Sequence, residues 1–250
     1  MTPRGVLLVL GALSLLPTAC SRSASRAAEP IIAQGPRAWA LATTALLTIR
    51  NQGRLDMLSP SPPSASSVRE TRGLLHDWWG IDSRADLLRT LEYLDHEGHR
   101  GQFQKMALSL LSMTEAEYQA RLTATADHPE IAARMKLARE HYQKHRRNSF
   151  AAWDYCRYVM LCRWGYTVGF LTSDQAWQRI MPAARTIQTG FRSWSEMGED
   201  YLVGRQFWSS EESERTGQIY RDIEARLLED PGSVWNRLPW DTRLGTGMSP

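Results

Sequence analysis

Apolar residues recur at helical spacing along most of the chain, and none of its segments shows the alternation of a half-buried strand. Repeats at intervals of three and four residues place side chains on one face of an α-helix. The clearest apolar stripes are Leu87, Leu88, Leu91 and Leu94; Phe103, Met106, Ala107, Leu110 and Leu111; Ala176, Trp177, Ile180, Ala184 and Ile187; and Ile219, Ile223 and Leu227. The pattern predicts an all-α fold, built as one compact domain of several helices.

Several helix starts are marked by polar residues that can cap free backbone N–H groups. Thr114 is followed three residues later by Glu117, and Thr172 by Gln175, which is the spacing of a capping box. Nearer the N-terminus, the segment Trp39–Ile49 is mostly apolar and predicts a single helix. We therefore expect helices to begin at Thr114 and Thr172, and one unbroken helix over 39–49.

One segment, at about 148–164, is apolar on all sides. Phe150, Trp153 and Trp164 share a stripe, while Tyr158 lies on another face. A helix that is hydrophobic all round is buried in the core. The sequence therefore predicts a buried central helix around which the other helices pack.

Two charged residues, Asp154 and Arg157, fall inside this apolar stripe, where burying either charge alone would be costly. Arg205 occupies a similar inward position on a later stripe that also contains Tyr201. We therefore predict a buried polar cluster of Asp154, Arg157 and Arg205, with Tyr201 as a hydroxyl donor. Two roles stay open for it: an ion network that fixes the register of two helices, and a polar pocket floor that binds an anionic ligand.

The first twenty residues form a short apolar run that follows a single positive charge. Arg4 precedes apolar residues over 6–16, and small residues lead to Cys20. A charged start, a short apolar core and a small-residue cleavage site are typical of a secretory signal. The run LPTAC at 16–20 resembles a bacterial lipobox, with Pro17 in place of the usual Leu. We expect Cys20 to carry a lipid that holds the protein at a membrane.

These features divide the chain into a signal peptide over 1–19, a lipidated Cys20 and flexible tether over 20–35, one helical domain over 36–230 and an irregular tail over 231–250. Ser21, directly after the cysteine, resembles the outer-membrane sorting pattern. The expected location is therefore the cell envelope, as an outer-membrane lipoprotein that faces the periplasm. Two alternatives stay open: cleavage without lipid attachment, and an uncleaved apolar leader on a cytoplasmic protein.

Charge excludes one class of partner. The chain has 30 Lys and Arg against 27 Asp and Glu, a net charge of +3. Removing residues 1–19 takes away Arg4 alone, which leaves 29 − 27 = +2. A balance this close to neutral does not indicate a nucleic-acid surface, so we expect no nucleic-acid partner.

No motif predicts a metal or a cofactor. His141 and His145 have the spacing of a helical metal pair, but the basic residues around them oppose a cation, so we predict a solvated basic helix end. Cys156 and Cys162 lie six residues apart on one helix, too far to form a disulfide. We expect both thiols to be free and buried.

Short segments between Leu74 and Trp208 occur in a recognisable order. They are Trp79-Gly80-Ile81, Gly98-His99-Arg100, Ala152–Arg157, Gly165-Tyr166, Ser193-Trp194 and Tyr201–Arg205. Together they resemble the bacterial domain of unknown function 1266, the YbeU-like family, with a family-like core at 74–208. The resemblance implies no activity that can be carried over. A lipoprotein-type signal peptide departs from the cytoplasmic character of other members.

Two functions from different classes stay open. The first is an envelope-anchored lipoprotein that acts as a protein-interaction module, in the manner of an immunity protein that neutralises a toxin. The second is an envelope hydrolase with a polar pocket around Asp154, which would work with His99 or Tyr201. The sequence favours the first, because it contains no catalytic motif and offers only these three residues as candidates for catalysis.

Overall fold

The computed structural model describes residues 33–245, apart from the side chains of His145 and Arg147. Over this range the chain forms helices joined by loops, of which the longest covers 51–64, and no strand, which confirms the predicted all-α fold. The signal peptide predicted over 1–19 and the lipidation predicted at Cys20 lie outside the described residues. None of the helices within 33–245 has the length and the apolar character needed to cross a membrane.

The helices in the described part of the chain are α1 Gly35–Ala42, α2 Ala45–Arg50, α3 Ala65–Trp79, α4 Arg84–His96, α5 Gly98–Leu111, α6 Glu115–Ala124, α7 Pro129–His145, α8 Ala151–Thr167, α9 Ser173–Gly190, α10 Trp194–Trp208, α11 Ser210–Glu229 and α12 Val234–Arg237. A short 3₁₀ turn, Arg146–Asn148, joins α7 to the segment before α8. The capping boxes predicted at Thr114 and Thr172 are both confirmed, and each has its two reciprocal hydrogen bonds.

Helix α8 is the predicted central helix, and every one of its residues is buried. It packs most extensively against α9 and α10, and also against α3, α4 and α5. It begins at Ala151, slightly later than predicted, because Phe150 takes a left-handed conformation with φ +67°. A bulky residue rarely adopts this conformation, and here Phe150 is completely enclosed by the core.

The single helix predicted over 39–49 is wrong, because the chain breaks it into α1 and α2 at Thr43 and Thr44. The hydroxyl of Thr43 donates to the carbonyl of Ala40 at 2.7 Å, and that of Thr44 donates to the carbonyl of Leu41 at 2.7 Å. Such local bonds from threonine compete with helix continuation. The break turns α2 towards α8 and α11, which it contacts.

The tail predicted to be irregular from residue 231 contains the short helix α12. Ser233 caps this helix by accepting a hydrogen bond from the backbone N–H of Asn236. The indole N–H of Trp235 donates to the carbonyl of Ala42 at 3.0 Å, and that of Trp240 donates to the carbonyl of Phe191 at 3.2 Å. The tail up to Trp240 therefore packs against α1 and against the C-terminus of α9.

Candidate functional site

Asp154 lies near the start of α8 and caps a different helix, α5. The side chain is fully buried, with no exposed area. Its Oδ1 accepts a hydrogen bond from the backbone N–H of His99 at 3.1 Å, and its Oδ2 accepts one from that of Arg100 at 3.0 Å. The first N–H groups of a helix have no partner within the helix and carry partial positive charge. Asp154 therefore stabilises the N-terminus of α5 through both hydrogen bonding and charge.

The approach of Asp154 to α5 depends on glycine at position 98. Gly98 has φ +56°, in the left-handed region that favours glycine. A Cβ atom at this position would lie 2.0 Å from Asp154 Oδ2, which is inside any van der Waals contact. The glycine thus supplies both the backbone turn and the space that the carboxylate needs.

Two arginines compensate the charge of Asp154. Arg157 Nη2 donates to Oδ1 at 2.6 Å, and Arg100 Nη1 donates to Oδ2 at 3.2 Å. Burial alone would raise the pKa of Asp154, but the His99 side chain, the charge of Arg157 and the N–H of Arg100 together hold the pKa below its usual value. The carboxylate is therefore ionised, and its oxygens are occupied by four donors.

Arg157 is enclosed by aromatic rings. Its guanidinium carbon lies 4.1 Å from the ring centroid of Trp153 and 5.5 Å from that of Trp79. Its Nε donates to the carbonyl of Trp153 at 3.0 Å, and its Nη2 lies 2.9 Å from His99 Nδ1. Nδ1 of His99 also lies 3.7 Å from Asp154 Oδ1, so the imidazole contacts both members of the ion pair. Burial lowers the pKa of Arg157, and the adjacent charge of Asp154 opposes that effect.

The structure brings Asp154 and Arg157 together but places Arg205 elsewhere. Arg205 Nη1 donates to Ser213 Oγ at 3.0 Å, and its guanidinium lies 4.5 Å from the ring centroid of Tyr220 on α11. Within residues 33–245 it forms no direct hydrogen bond or ion pair with Asp154. Arg205 therefore joins α10 to α11, whereas Asp154 and Arg157 join α8 to α5.

Tyr201 lies between these two arginines without bonding directly to either in the described part of the chain. Its ring packs edge-on against Trp153, with 5.1 Å between the centroids, and lies 6.2 Å from the ring of Tyr220. Burial raises the pKa of the Tyr201 hydroxyl well above its usual value. Tyr201 is thus a neutral aromatic contact between α8, α10 and α11.

A second buried carboxylate, Asp200, was not singled out from the sequence. Its Oδ1 accepts from the backbone N–H of Phe150 at 2.7 Å, and its Oδ2 accepts from that of Ala152 at 2.9 Å, so Asp200 caps α8 as Asp154 caps α5. His141 Nε2 lies 3.0 Å from Asp200 Oδ1. The solvated position predicted for His141 is therefore wrong, since its side chain is 5% exposed. Asp200 lies three residues after the inward-facing Met197, and this helical spacing was the sequence signal that could have predicted its burial.

Arg163 is the other buried charge that sequence reasoning missed. Its Nη1 donates to the hydroxyls of Thr44 at 2.8 Å and Thr48 at 2.7 Å, while Nη2 donates to the carbonyl of Met57 at 3.0 Å and Nε to that of Leu58 at 3.3 Å. Burial lowers the pKa of Arg163 to about 9. The guanidinium holds the loop after α2 against the core, which is a structural role.

The cysteines lack the surroundings of a reactive thiol. Cys156 and Cys162 are both free and buried in α8. Burial is the largest effect on each, and it raises the pKa of both thiols. The Cys156 thiol donates to the carbonyl of Thr43 at 2.9 Å, so its proton is engaged in a hydrogen bond within the core.

Three aromatic residues on α3 and α4 keep solvent-exposed area, and two of them, Trp79 and Tyr93, contact Arg157 and Gly98 respectively. Trp78 and Trp79 end α3, and Trp78 is 66% exposed while Trp79 is half-buried. Tyr93 on α4 is 39% exposed, and its hydroxyl donates to the carbonyl of Gly98 at 3.2 Å. We call Trp78, Trp79 and Tyr93 the aromatic surface.

Two surface cavities border α3. One, of about 160 Å³, is lined by Glu70 and Thr71 of α3 and by Trp164 of α8. The other, of about 290 Å³, is lined by His76 and by Phe170. Among the described residues no three His, Cys, Asp or Glu side chains are arranged to hold a metal ion.

Comparison with known proteins gives two related chains from Escherichia coli (strain K12). The chain is 24% identical to the uncharacterized protein YbeR over 176 residues, which are 68% of this chain and 74% of YbeR. It is 24% identical to the uncharacterized protein YbeU over 212 residues, which are 80% of this chain and 88% of YbeU. No solved structure gives a significant match to the chain.

A family model described as "Protein of unknown function (DUF1266)" matches residues 74–240. This range contains Gly98, Asp154 and Arg157, and it extends beyond the predicted core at 74–208 to Trp240 in the C-terminal tail. The match covers more than half of the sequence and confirms the resemblance seen in its short segments. The chain therefore belongs to the DUF1266 family of proteins of unknown function.

Proposed function

We propose that the protein is a non-enzymatic interaction module, held at the cell envelope by a lipid on Cys20, that binds a protein partner through the aromatic surface. The observation that carries the proposal is the 66% exposure of Trp78, a large apolar side chain that the fold leaves in solvent. Tryptophan, tyrosine and arginine are the residues most enriched at the centres of protein interfaces. A toxin neutralised by the domain is the narrower form of the same proposal.

The surroundings of Trp78 support this choice of surface. Trp79, the next residue, packs against Arg157, and Tyr93 is fixed by its hydrogen bond to Gly98. Arg157 in turn is held by Asp154 from within the core. An interface built on such rigid side chains loses little conformational entropy on binding.

The hydrolase alternative is not favoured by the geometry around Asp154. A general acid or base must reach the proton that it transfers. Asp154 has no exposed area, and all of its contacts serve α5 and the two arginines. We assign Asp154 to capping and charge compensation.

Membrane attachment is tested by fractionation of cells that express Cys20→Ser, with Cys162→Ala as the control for loss of a thiol. We expect the wild type and the Cys162→Ala protein to sediment with membranes and to incorporate labelled palmitate, and Cys20→Ser to do neither. Equal membrane association of all three proteins would remove the anchor from the proposal.

Partner binding is tested by placing a photo-crosslinking phenylalanine derivative at Trp78 in living cells, with the same derivative at Ile219 on α11 as the control. Ile219 is 43% exposed, so both positions are open to solvent. We expect one crosslinked protein from position 78 and none from position 219. The partner, once purified, should bind Trp78→Ala at least tenfold more weakly than the wild type. Equal affinity would exclude this surface as the interface.

A further inference from the structure

The surface cavity of about 160 Å³ beside α3 has a polar wall that the fold leaves unused. Five polar side chains line it without a side-chain hydrogen bond or ion pair inside the described part of the chain: Asn51, Ser61, Glu70, Thr71 and Trp164. Native structures satisfy nearly all polar groups that are removed from bulk water. The groups on this wall are therefore available to a ligand.

Two of these groups belong to residues that are almost entirely buried. Thr71 is 5% exposed and Trp164 is 6% exposed. The hydroxyl of Thr71 and the indole N–H of Trp164 are not among the fully enclosed atoms that lack a partner, so each keeps a small accessible area. Because both residues line the cavity, we assign that area to its interior. The cavity thus contains two hydrogen-bonding groups that are held in place by the packing of α3 against α8.

The size and the apolar part of the cavity suit one six-membered ring. A cavity of about 150 Å³ in another protein admits benzene. Leu74, Met160 and Pro60 also line the cavity and provide apolar contacts. A ligand that uses the whole wall therefore has both C–H groups and polar substituents.

The charges around the cavity favour a neutral ligand. Glu70 is the one charged side chain that lines it, and this residue is exposed, so solvent weakens its field. Behind the wall, Arg163 donates to the hydroxyl of Thr48, another lining residue, at 2.7 Å. The two charges have opposite signs, so the surroundings select neither a cation nor an anion.

We propose that this cavity binds a monosaccharide ring through the hydroxyl of Thr71 and the indole N–H of Trp164. The C–H groups of a sugar ring match the apolar contacts, and its hydroxyls can both donate to Glu70 and bond to the amide of Asn51 in either direction. The ring is either a free sugar or one residue of a longer glycan. The site goes beyond the proposed function, because it requires neither the Cys20 anchor nor the aromatic surface.

The test uses the full-length chain in a polyoxyethylene detergent, whose headgroup is not a sugar. The readout is the ¹H–¹⁵N NMR resonance of the Trp164 indole, assigned as the one lost in Trp164→Phe. Glucose, galactose, mannose and N-acetylglucosamine are the probes, and cyclohexylmethanol is the control with a single hydroxyl. We expect at least one sugar to shift the resonance with a saturable Kd of about 1–10 mM, typical of a few neutral hydrogen bonds. No saturable shift with any of the sugars, or an equal shift with cyclohexylmethanol, would overturn the proposal.

A second arm distinguishes the two sources of the ring. The sugar that binds is compared with its methyl glycosides, in which the anomeric oxygen is blocked as it is in a glycan. Binding of a methyl glycoside at least as tightly as the free sugar assigns the site to a residue of a glycan. Binding of the free sugar alone assigns the site to a monosaccharide.

A third arm tests whether the cavity selects a cation instead, since a tryptophan beside a carboxylate also suits an organic ammonium ion. Tetramethylammonium should give no saturable shift, and Glu70→Gln should change the Kd of the sugar less than twofold. Tighter binding of tetramethylammonium than of every sugar would overturn the proposal.

Substitution of Thr71 separates binding from stability. Thr71→Val removes a hydroxyl that has no partner in the fold, so the midpoint of urea unfolding should not fall. Its sugar affinity should fall about fivefold, the effect of one neutral hydrogen bond. Thr189→Val in α9 is the control, because Thr189 does not line the cavity, and it should bind as the wild type does. An unchanged Kd for Thr71→Val would contradict the site.

If Thr71→Val does not fold, the comparison of the sugars with cyclohexylmethanol on the wild type still decides. Failure of sugar binding leaves the crosslinking test at Trp78 unaffected.

Discussion

Gly204 of α10 lies directly against the side chain of Trp153 of α8. A Cβ atom on Gly204 would lie 2.3 Å from Trp153 Cβ, where no real Cβ contact is found. The two helices therefore approach as closely as their backbones allow, and the indole is held between Gly204 and the guanidinium of Arg157. Position 204 thus controls the packing of the ring on which the candidate site is built.

Replacing Gly204 with alanine should push α10 away from Trp153. We expect Gly204→Ala to lower the free energy of unfolding by about 2 kcal/mol, the usual cost of overpacking a core, as measured by urea denaturation. Gly73→Ala in α3 is the control, since nothing lies within 4 Å of its added methyl group. Because alanine favours a helix more than glycine does, Gly73→Ala should raise the free energy of unfolding by about 0.5–1 kcal/mol. Equal effects of the two substitutions would contradict the close approach.

A second glycine prediction isolates the contact with Asp154. Gly98→Ala should cost about 3 kcal/mol, from the left-handed backbone and from the clash with Asp154 Oδ2 combined. Gly80→Ala shares the positive φ, +62° against +56°, but nothing lies within 4 Å of the added methyl group. Gly80→Ala should therefore lower the free energy of unfolding only by the cost of the left-handed backbone, about 1 kcal/mol. Denaturation curves of the two variants give the difference directly.

Asp154→Asn tests the charge of the cap at nearly constant shape. Removing one partner of a buried ion pair costs about 3 kcal/mol, because the remaining charge is left uncompensated. The pKa of Asp154 is held below its usual value of 3.8, so this stabilisation is present above that pH and is lost as pH falls through the lowered pKa. Stability measured from pH 7 downward should therefore show the wild type and the variant converging only below about pH 4. Equal stability of the two proteins at pH 7, or a difference that does not change as the pH falls, would contradict a stabilising role for the charge of Asp154.

Glu224 on α11 predicts a loss of stability as the pH rises. Burial first, and then the charge of Glu199, raise the pKa of Glu224 to about 7 from its usual 4.5. The folded state therefore binds more protons than the unfolded chain between these values, and stability falls as pH increases from 4.5 through 7. Because the group is partly solvated, we expect Glu224→Gln to gain only about 1 kcal/mol over the wild type at pH 8. The exposed Glu229→Gln is the control and should show no such pH-dependent gain.

Local patterns predicted those parts of the fold that depend on nearby residues. The capping boxes at Thr114 and Thr172 need only residues three apart, and the burial of α8 follows from its own apolar faces. Asp154 and Arg157 are also close in sequence, so the local pattern could predict their pairing. The α5 cap, however, joins His99 to Asp154 across 55 residues, and no periodicity encodes that distance.

The remaining differences arise from contacts between distant elements. Thr44 lies at the break between α1 and α2, and its hydroxyl accepts a hydrogen bond from Arg163, which is 119 residues away. Arg205 faces inward as expected, yet its partners lie on α11, whose position against α10 the sequence left open. His141 stands among basic neighbours but is drawn into the core by Asp200. In each case a buried charged side chain bonds to a residue of another element, and the local sequence pattern did not indicate that contact.

The hydrogen bonds from Trp235 to Ala42 and from Trp240 to Phe191 have a consequence for how the protein is made. The first helix cannot complete its packing until the last part of the domain has been synthesised, because the two are joined across 193 residues. Because Trp235 and Trp240 complete the packing of the domain, truncation of the C-terminal segment should leave α1 exposed and the whole chain open to proteases.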